Sequence, residues 1–150
     1  MNVIRGFRRE YQFLSNFYPC RIIIEDLAFN NVEAAFQAAK CQNFSDRRMF
    51  EGITGAEAKK LGRRVRLRSD WESVKIPIMA KLVRQKSKNN PALLEKLLAT
   101  GDNTLVEENT WHDNFYGDCI CPRCRHIPGF NKLGYILMDL RKQCQTEGYL

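Results

Sequence analysis

A chain of 150 residues, 27% of them charged and 44% hydrophobic, has the size and balance of one soluble globular domain and is a poor candidate for extensive disorder. Its 24 Lys and Arg against 17 Asp and Glu leave a net charge of +7, which points to an anionic partner such as nucleic acid or a phosphorylated small molecule. No apolar run approaches the roughly 20 residues of a transmembrane helix and MNVIRGFRRE lacks the apolar core of a signal peptide, so a cytoplasmic protein with no membrane role is expected.

The first legible element is a short hairpin: the β-branched run Cys20 to Ile24, the pair Glu25-Asp26, then Leu27 to Phe29. Asn31 follows as an N-cap for a helix over Glu33 to Lys40, although no capping-box Glu or Gln lies three residues on. At about 100° per residue, Glu33, Phe36, Gln37 and Lys40 share one arc of that helix, while Ala34, Ala35, Ala38 and Ala39 take the other side. The alanines let a neighbouring helix pack close. The opposite face offers a carboxylate, a ring, an amide and an amine in a column about 10 Å long. An amphipathic surface helix is the alternative, and Phe36 in the middle of a solvated face counts against it.

Further along, Ser45 is positioned to cap a short helix through Phe50, with Gly52 and Gly55 breaking it. Thr54 to Leu61 reads as helix ending at Gly62. Ser69 stands at capping-box spacing before Glu72 and opens the apolar series Val74, Ile78, Met79, Leu82 and Val83, which Pro77 is expected to kink or delay. Asn90-Pro91 starts a helix with the stripe Leu93, Leu94, Leu97 and Leu98 up to Gly101; Leu105 to Glu108 reads as a short strand and Leu133 to Gln143 as the final helix. The expected fold is a single domain over residues 1–150, mainly α with a small β element (α+β). Basic residues gather at Lys59 to Arg68 and Lys75 to Lys88, in the middle third.

The six cysteines do not form a spaced disulfide framework, and reduced thiols or a metal fit them better. Cys119, Cys121 and Cys124 offer three thiolates within six residues, and His112 or His126 could complete a tetrahedral structural zinc site. The spacing is tighter than two separated Cys-x-x-Cys pairs, and the alternative is a thiol-rich loop without metal. No cofactor is expected for catalysis.

Taken together, Phe13-Leu14-Ser15-Asn16-Phe17-Tyr18, Val32 to Lys40, Ala58 to Arg63, Asp70-Trp71, Thr100-Gly101, Leu105-Val106-Glu107, Trp111-His112-Asp113, Gly117 and Gly129 to Met138 resemble the YbiA-like, or NADAR, family. The resemblance runs from about Phe7 to Arg141. It implies a mainly helical fold with a small β element and an N-glycosidase activity. Two substrate classes come with it: guanine bearing ADP-ribose on its exocyclic amine, in nucleic acid or nucleotide, and the phosphoribosylamino-pyrimidine intermediates of early riboflavin synthesis. It also implies that Glu33 is the catalytic position of the motif.

Breaking a ribose C1–N bond develops positive charge on the sugar and negative charge on the departing base. A carboxylate near C1 stabilises that cation or activates water, which suits Glu33; its bland reading is a helix-start Glu that complements the dipole. Two tasks are open to Lys40, attack on the opened sugar to give a Schiff base or capture of a phosphate. Gln37 can orient water or a ribose hydroxyl beside Phe36. In the Leu-Ser-Asn-Phe segment, Ser15 and Asn16 offer polar contacts to a purine edge or sugar, and Phe17 a stacking ring; Asn16 otherwise reads as a turn residue before Pro19. Trp71 and Trp111 are core aromatics by composition and site walls by resemblance, Asp113 is a second candidate acid or base, and Asn131 can present its amide at a helix start. A non-catalytic nucleic-acid-binding module with a zinc-knuckle-like loop, or a partner module that has lost catalysis, are the other readings. The intact Glu33, Gln37 and Lys40 set favours the enzyme.

Overall fold

The computed structural model describes residues 2–147. In chain order it contains β1 (Val3–Arg5), a 3-10 helix (Arg9–Leu14), β2 (Ile22–Ile24), β3 (Leu27–Phe29), α1 (Val32–Ala39), α2 (Phe44–Arg48), α3 (Gly55–Leu61), α4 (Trp71–Asn89), α5 (Pro91–Ala99), β4 (Thr104–Val106), β5 (Glu108–Asn109), β6 (Asp118–Cys119) and α6 (Lys132–Glu147). Helix dominates and the strands form small two-stranded sheets, the α+β class expected. The chain divides into two compact units, one built from residues 1–15 and 92–150, the other from Asn16–Pro91. Among the described residues no helix is long and apolar enough to cross a membrane.

In the Asn16–Pro91 unit, β2 and β3 form the expected antiparallel hairpin, Ile22 facing Phe29 and Ile24 facing Leu27. Both loop residues have positive φ, 52° at Glu25 and 66° at Asp26, as a two-residue primed turn requires. Neither is glycine. Part of the resulting strain is offset by Arg47, whose Nη1 holds the Glu25 carboxylate at 2.6 Å.

Helix α1 is capped as its sequence suggests, with Asn31 Oδ1 accepting the Ala34 amide at 2.7 Å. It packs against α2, α3, α4 and the hairpin, so nearly all of it is buried; only Glu33, Ala39 and the C-cap Lys40 keep partial exposure. A surface helix is thereby ruled out. The alanine side does admit close neighbours, with Ala34, Ala35 and Ala38 almost fully covered.

Four details depart from the sequence expectation. Asn43, not Ser45, is the N-cap of α2, because the Arg47 amide already closes the first turn on the Asn43 carbonyl; beyond Arg48 the chain continues in tighter i to i+3 turns through Glu51. Thr54 and Glu57 make a full capping box on α3, yet Gly62 at its end is right-handed, φ −61°, so it is not a left-handed stop. The Ser69–Glu72 box does not form: Asp70 is the N-cap of α4, and its carboxylate is held by Arg68 at 2.6 and 3.1 Å. Pro77 lies inside an uninterrupted α4 and neither delays its start nor ends it.

In the other unit, β1 and β4 pair in parallel, Ile4 opposite Leu105, with α6 packed on β4. The strand expected over Leu105 to Glu108 is split: β4 ends at Val106, and Glu108–Asn109 joins Asp118–Cys119 as a second parallel pair. α6 runs past Gln143 to Glu147.

Candidate active site

Glu33, Phe36, Gln37, Lys40, Asn16 and Trp71 come together around α1 in the Asn16–Pro91 unit. Glu33 is the second residue of α1, and its amide, an orphan donor of the first turn, is satisfied by the Asn16 carbonyl at 3.0 Å. That bond ties the carboxylate's backbone to the Leu-Ser-Asn-Phe segment. Asn16 is itself buried, its Nδ2 3.4 Å from Met79 Sδ of α4.

Gln37, one turn on, donates from Nε2 to Glu33 Oε1 at 2.8 Å. A charge-assisted bond of this kind fixes the carboxylate rotamer and leaves its other oxygen aimed elsewhere. Gln37 is only 8% exposed, and its Oε1 is buried without a hydrogen-bond partner. Turning the amide over would set that oxygen against the Glu33 carboxylate, so the carboxylate dictates its orientation. The oxygen rests on Gly62, where a Cβ would collide with it. Gly62 is therefore a close-approach glycine that makes room for the site's amide.

Phe36 is buried and packs on Trp71 at the start of α4, ring centroids 5.0 Å apart and planes tilted by 52°. The two rings wall the column on one side. At its far end Lys40 is half-buried. Desolvation pushes its amine below the ordinary lysine value, and the like charge of Arg63 adds to that, while Glu33 and the Cys41 thiol pull it back up. Burial wins. An amine that loses its proton more readily than usual and still feels the Glu33 carboxylate is suited to nucleophilic or proton-transfer work.

Phe17 lies with its ring over Gly55, at the first position of α3, and is otherwise exposed. It borders a groove of about 560 Å³ whose walls include Arg21, Asn30, Asn31, Ile53 and Thr54. Glu33 and Lys40 are not among those walls, so the groove is distinct from the column these residues form along α1.

The remaining candidates belong to the other unit. Ser15 closes the 3-10 helix, its amide bonded to the Gln12 carbonyl at 3.0 Å. Asp113 accepts the Phe115 and Tyr116 amides on Oδ1 at 3.0 and 2.9 Å, forming its own turn. Trp111 is 51% exposed. Asn131 has a task that the sequence reading missed: Oδ1 accepts the Glu107 amide and Nδ2 donates to the Leu105 carbonyl, both at 2.9 Å, so its amide clamps β4 to the start of α6. These two backbone bonds give the amide a structural task and use one of its two N–H donors and one of its two acceptor lone pairs.

The same unit gathers His112, Cys119, Cys121 and Cys124, with ligand atoms all within 4.8 Å of one another, a set that could hold a metal ion. The histidine is His112; His126 is not part of the cluster.

One further group escaped the sequence reading. Lys86 of α4 is buried, its Nζ 5.5 Å from the Tyr18 ring centroid, and desolvation drives its amine down to about 8. The Cys20 thiol, itself pushed up by burial, works against that shift. The signal was present in the sequence: Met79, Val83 and Lys86 fall on one apolar stripe.

A half-buried carboxylate oriented by an amide one turn on, an amine of lowered pKa two turns on and an aromatic pair form a candidate site for handling charge on a small polar centre, carried on an α+β scaffold. The profile of the NADAR domain matches residues 5–145, across both units, and the chain belongs to that family. It is 35% identical to N-glycosidase YbiA of Escherichia coli over 144 residues, 92% of this chain and 84% of that protein, and 37% identical to an N-glycosidase of Nostoc punctiforme over 142 residues, 91% and 87% of the two chains. A riboflavin biosynthesis protein of Vibrio vulnificus is 37% identical over 141 residues; this alignment takes in 90% of the present chain but only 36% of the longer relative. The solution structure of E. coli YbiA has the same fold, with a TM-score of 0.83 at 32% identity over 98% of this chain and 87% of that one.

Proposed function

We propose that the chain is an N-glycosidase that hydrolyses a ribose C1–N bond, with ADP-ribosylated guanine, in nucleic acid or nucleotide, as its leading substrate class. The observation that carries the reading is the Glu33 carboxylate, held at 2.8 Å by a buried amide on a helix that is otherwise almost wholly covered. The net reaction adds water across the bond, the hydroxyl going to C1 and the proton to the departing exocyclic amine. Glu33 stabilises the positive charge that grows on the sugar and takes the proton from the attacking water. Lys40 serves in one of two ways: as an amine that adds to the ring-opened sugar, expelling the base and leaving an imine that water then hydrolyses, or as a cation on a substrate phosphate. Its lowered pKa favours the first. No step calls for a cofactor. Free thiols at all six cysteines fit a reducing, cytoplasmic setting.

A second substrate reading, a phosphoribosylamino-pyrimidine, is supported by the name of the Vibrio vulnificus relative. Both substrates carry a ribose joined through an amine to a nitrogen heterocycle, and both carry phosphate, which the +7 net charge suits. The test incubates purified protein with ADP-ribosylated guanosine DNA and, separately, with the pyrimidine intermediate, following the released sugar by mass spectrometry. Glu33→Gln is expected to slow cleavage by about 10²–10⁴-fold. An unchanged rate in that variant removes Glu33 from the mechanism, and cleavage of neither substrate rejects the glycosidase reading in favour of a binding module. Asp113→Asn in the same assay tests the second candidate carboxylate.

A further inference from the structure

The loop from Asn109 to Asn131 has little to hold it by apolar packing, and its most buried side chains include two thiols, Cys119 and Cys124. Around them the backbone is bent with some care. His112 sits at φ +70°, a conformation that costs a non-glycine residue about 1 kcal/mol and needs compensation. That bend brings Nδ1 to 3.3 Å from Cys121 Sγ and 3.4 Å from Cys124 Sγ, while the His112 amide points at Cys119 Sγ, 3.3 Å away. The Cys121 carbonyl accepts the amides of Cys124 and Arg125 at 3.0 and 2.9 Å, a tight turn that aims two thiols the same way. Cys119 arrives from β6, its amide fixed to Asn114 Oδ1 at 2.9 Å.

We propose that His112, Cys119, Cys121 and Cys124 bind one zinc ion in a closed, four-coordinate structural site. Three thiolates and one imidazole nitrogen are a standard structural donor set, and zinc bonds of about 2.3 Å to sulfur and 2.0–2.1 Å to nitrogen put tetrahedral S···N edges at about 3.6 Å. The two Nδ1···Sγ separations, 3.3 and 3.4 Å, lie just inside that edge, and all four donor atoms fall within 4.8 Å of one another. With every position taken by protein, no site is left for substrate or activated water. The ion's task is to tie three stretches of chain together. Three thiolates exceed the charge of one zinc by a single unit, and the neighbouring Arg123 and Arg125 supply the opposite sign. The residues most directly positioned are Trp111 and Asp113, which flank the ligand His112.

Protein purified without a metal-affinity tag, under reducing conditions, is expected to contain one zinc per chain by elemental analysis. Replacing zinc by cobalt(II) in the native protein should give the intense visible bands of a tetrahedral thiolate-rich centre, a readout that needs no variant to fold. His112→Gln should weaken zinc binding by more than the roughly 10–100-fold that loss of an outer-shell partner costs, and His126→Gln should leave it unchanged. Failure of metal-stripped, reduced protein to take up zinc or cobalt overturns the proposal, as does a Cys121–Cys124 disulfide in protein kept reducing throughout. Equal losses in the two histidine variants overturn the ligand assignment.

Discussion

Gly62→Ala probes the packing that holds the site's amide, and the structure fixes the sign of its effect. Gly62 is right-handed, φ −61° and ψ −16°, so alanine fits its backbone. Loss of unfolded-chain entropy alone would then stabilise the protein by about 0.4–1 kcal/mol. The methyl group, however, would run into Gln37 Oε1 and its amide carbon, and would stand 3.1 Å from the Ala58 carbonyl oxygen. Gln37 has nowhere easy to go, being 8% exposed and tied to Glu33 at 2.8 Å. If the amide stays, overpacking costs about 1–3 kcal/mol; if it moves, a hydrogen bond to a charged group worth about 1.5–3 kcal/mol is lost. These are alternatives and do not add, so the net expectation is a loss of about 1–2 kcal/mol. Urea denaturation reads this as a lower midpoint at unchanged slope. In a Gln37→Ala background the obstruction is gone, and Gly62→Ala should be neutral or stabilising there. A raised midpoint for Gly62→Ala alone, or the same loss in both backgrounds, refutes the contact as the reason for the glycine.

Lys40→Arg should keep most activity if the residue binds phosphate and abolish turnover if its amine attacks the sugar; borohydride trapping followed by peptide mapping reads the adduct directly and separates Lys40 from Lys86. Lys86→Met should raise stability at pH 7 by about 1–3 kcal/mol, because a lysine of folded pKa about 8 against 10.5 unfolded carries a penalty that is full below pH 8 and lifts as pH rises through that window. Paired urea titrations at pH 7 and pH 10 check it, and a stability difference that does not shrink at the higher pH contradicts the burial argument. Asn131→Ala should cost about 2–4 kcal/mol, from two lost hydrogen bonds and an alanine forced to φ 52°. A raised KM with unchanged urea midpoint would instead return Asn131 to the substrate.

The parts of the fold that could be read from the sequence are those whose causes lie within a few residues. Asn31, the hairpin of Ile22 to Phe29 and the leucine stripe after Pro91 each carry local signals, and each formed within a residue or two of its expected place. β1 carried none, because Val3 to Arg5 becomes a strand only by pairing with Thr104 to Val106, about a hundred residues on. Helix starts failed where two polar residues competed. Ser69 had the spacing, but Arg68 engaged Asp70 and the helix began there.

The candidate site on α1 shows the same limit from the side of chemistry. Spacing alone put Glu33, Phe36, Gln37 and Lys40 on one face, and they are on one face. Spacing could not say that this face is covered, and burial is what turns the residues into a site. Half-burial lowers the Lys40 amine below its ordinary value, and the Glu33 carboxylate together with Gly62 leaves the buried Gln37 amide one orientation. Asn131 shows it from another side: its place at a helix start was legible, but the two bonds its amide makes to backbone at and beside β4 were not. Whether a polar group in this chain is free to meet a ligand depends on which backbone donors and acceptors the tertiary fold brings within 3 Å of it. Glu33 and the C-cap Lys40 are the charged residues of α1 that keep partial exposure, which is why the tests of the proposed chemistry begin with them.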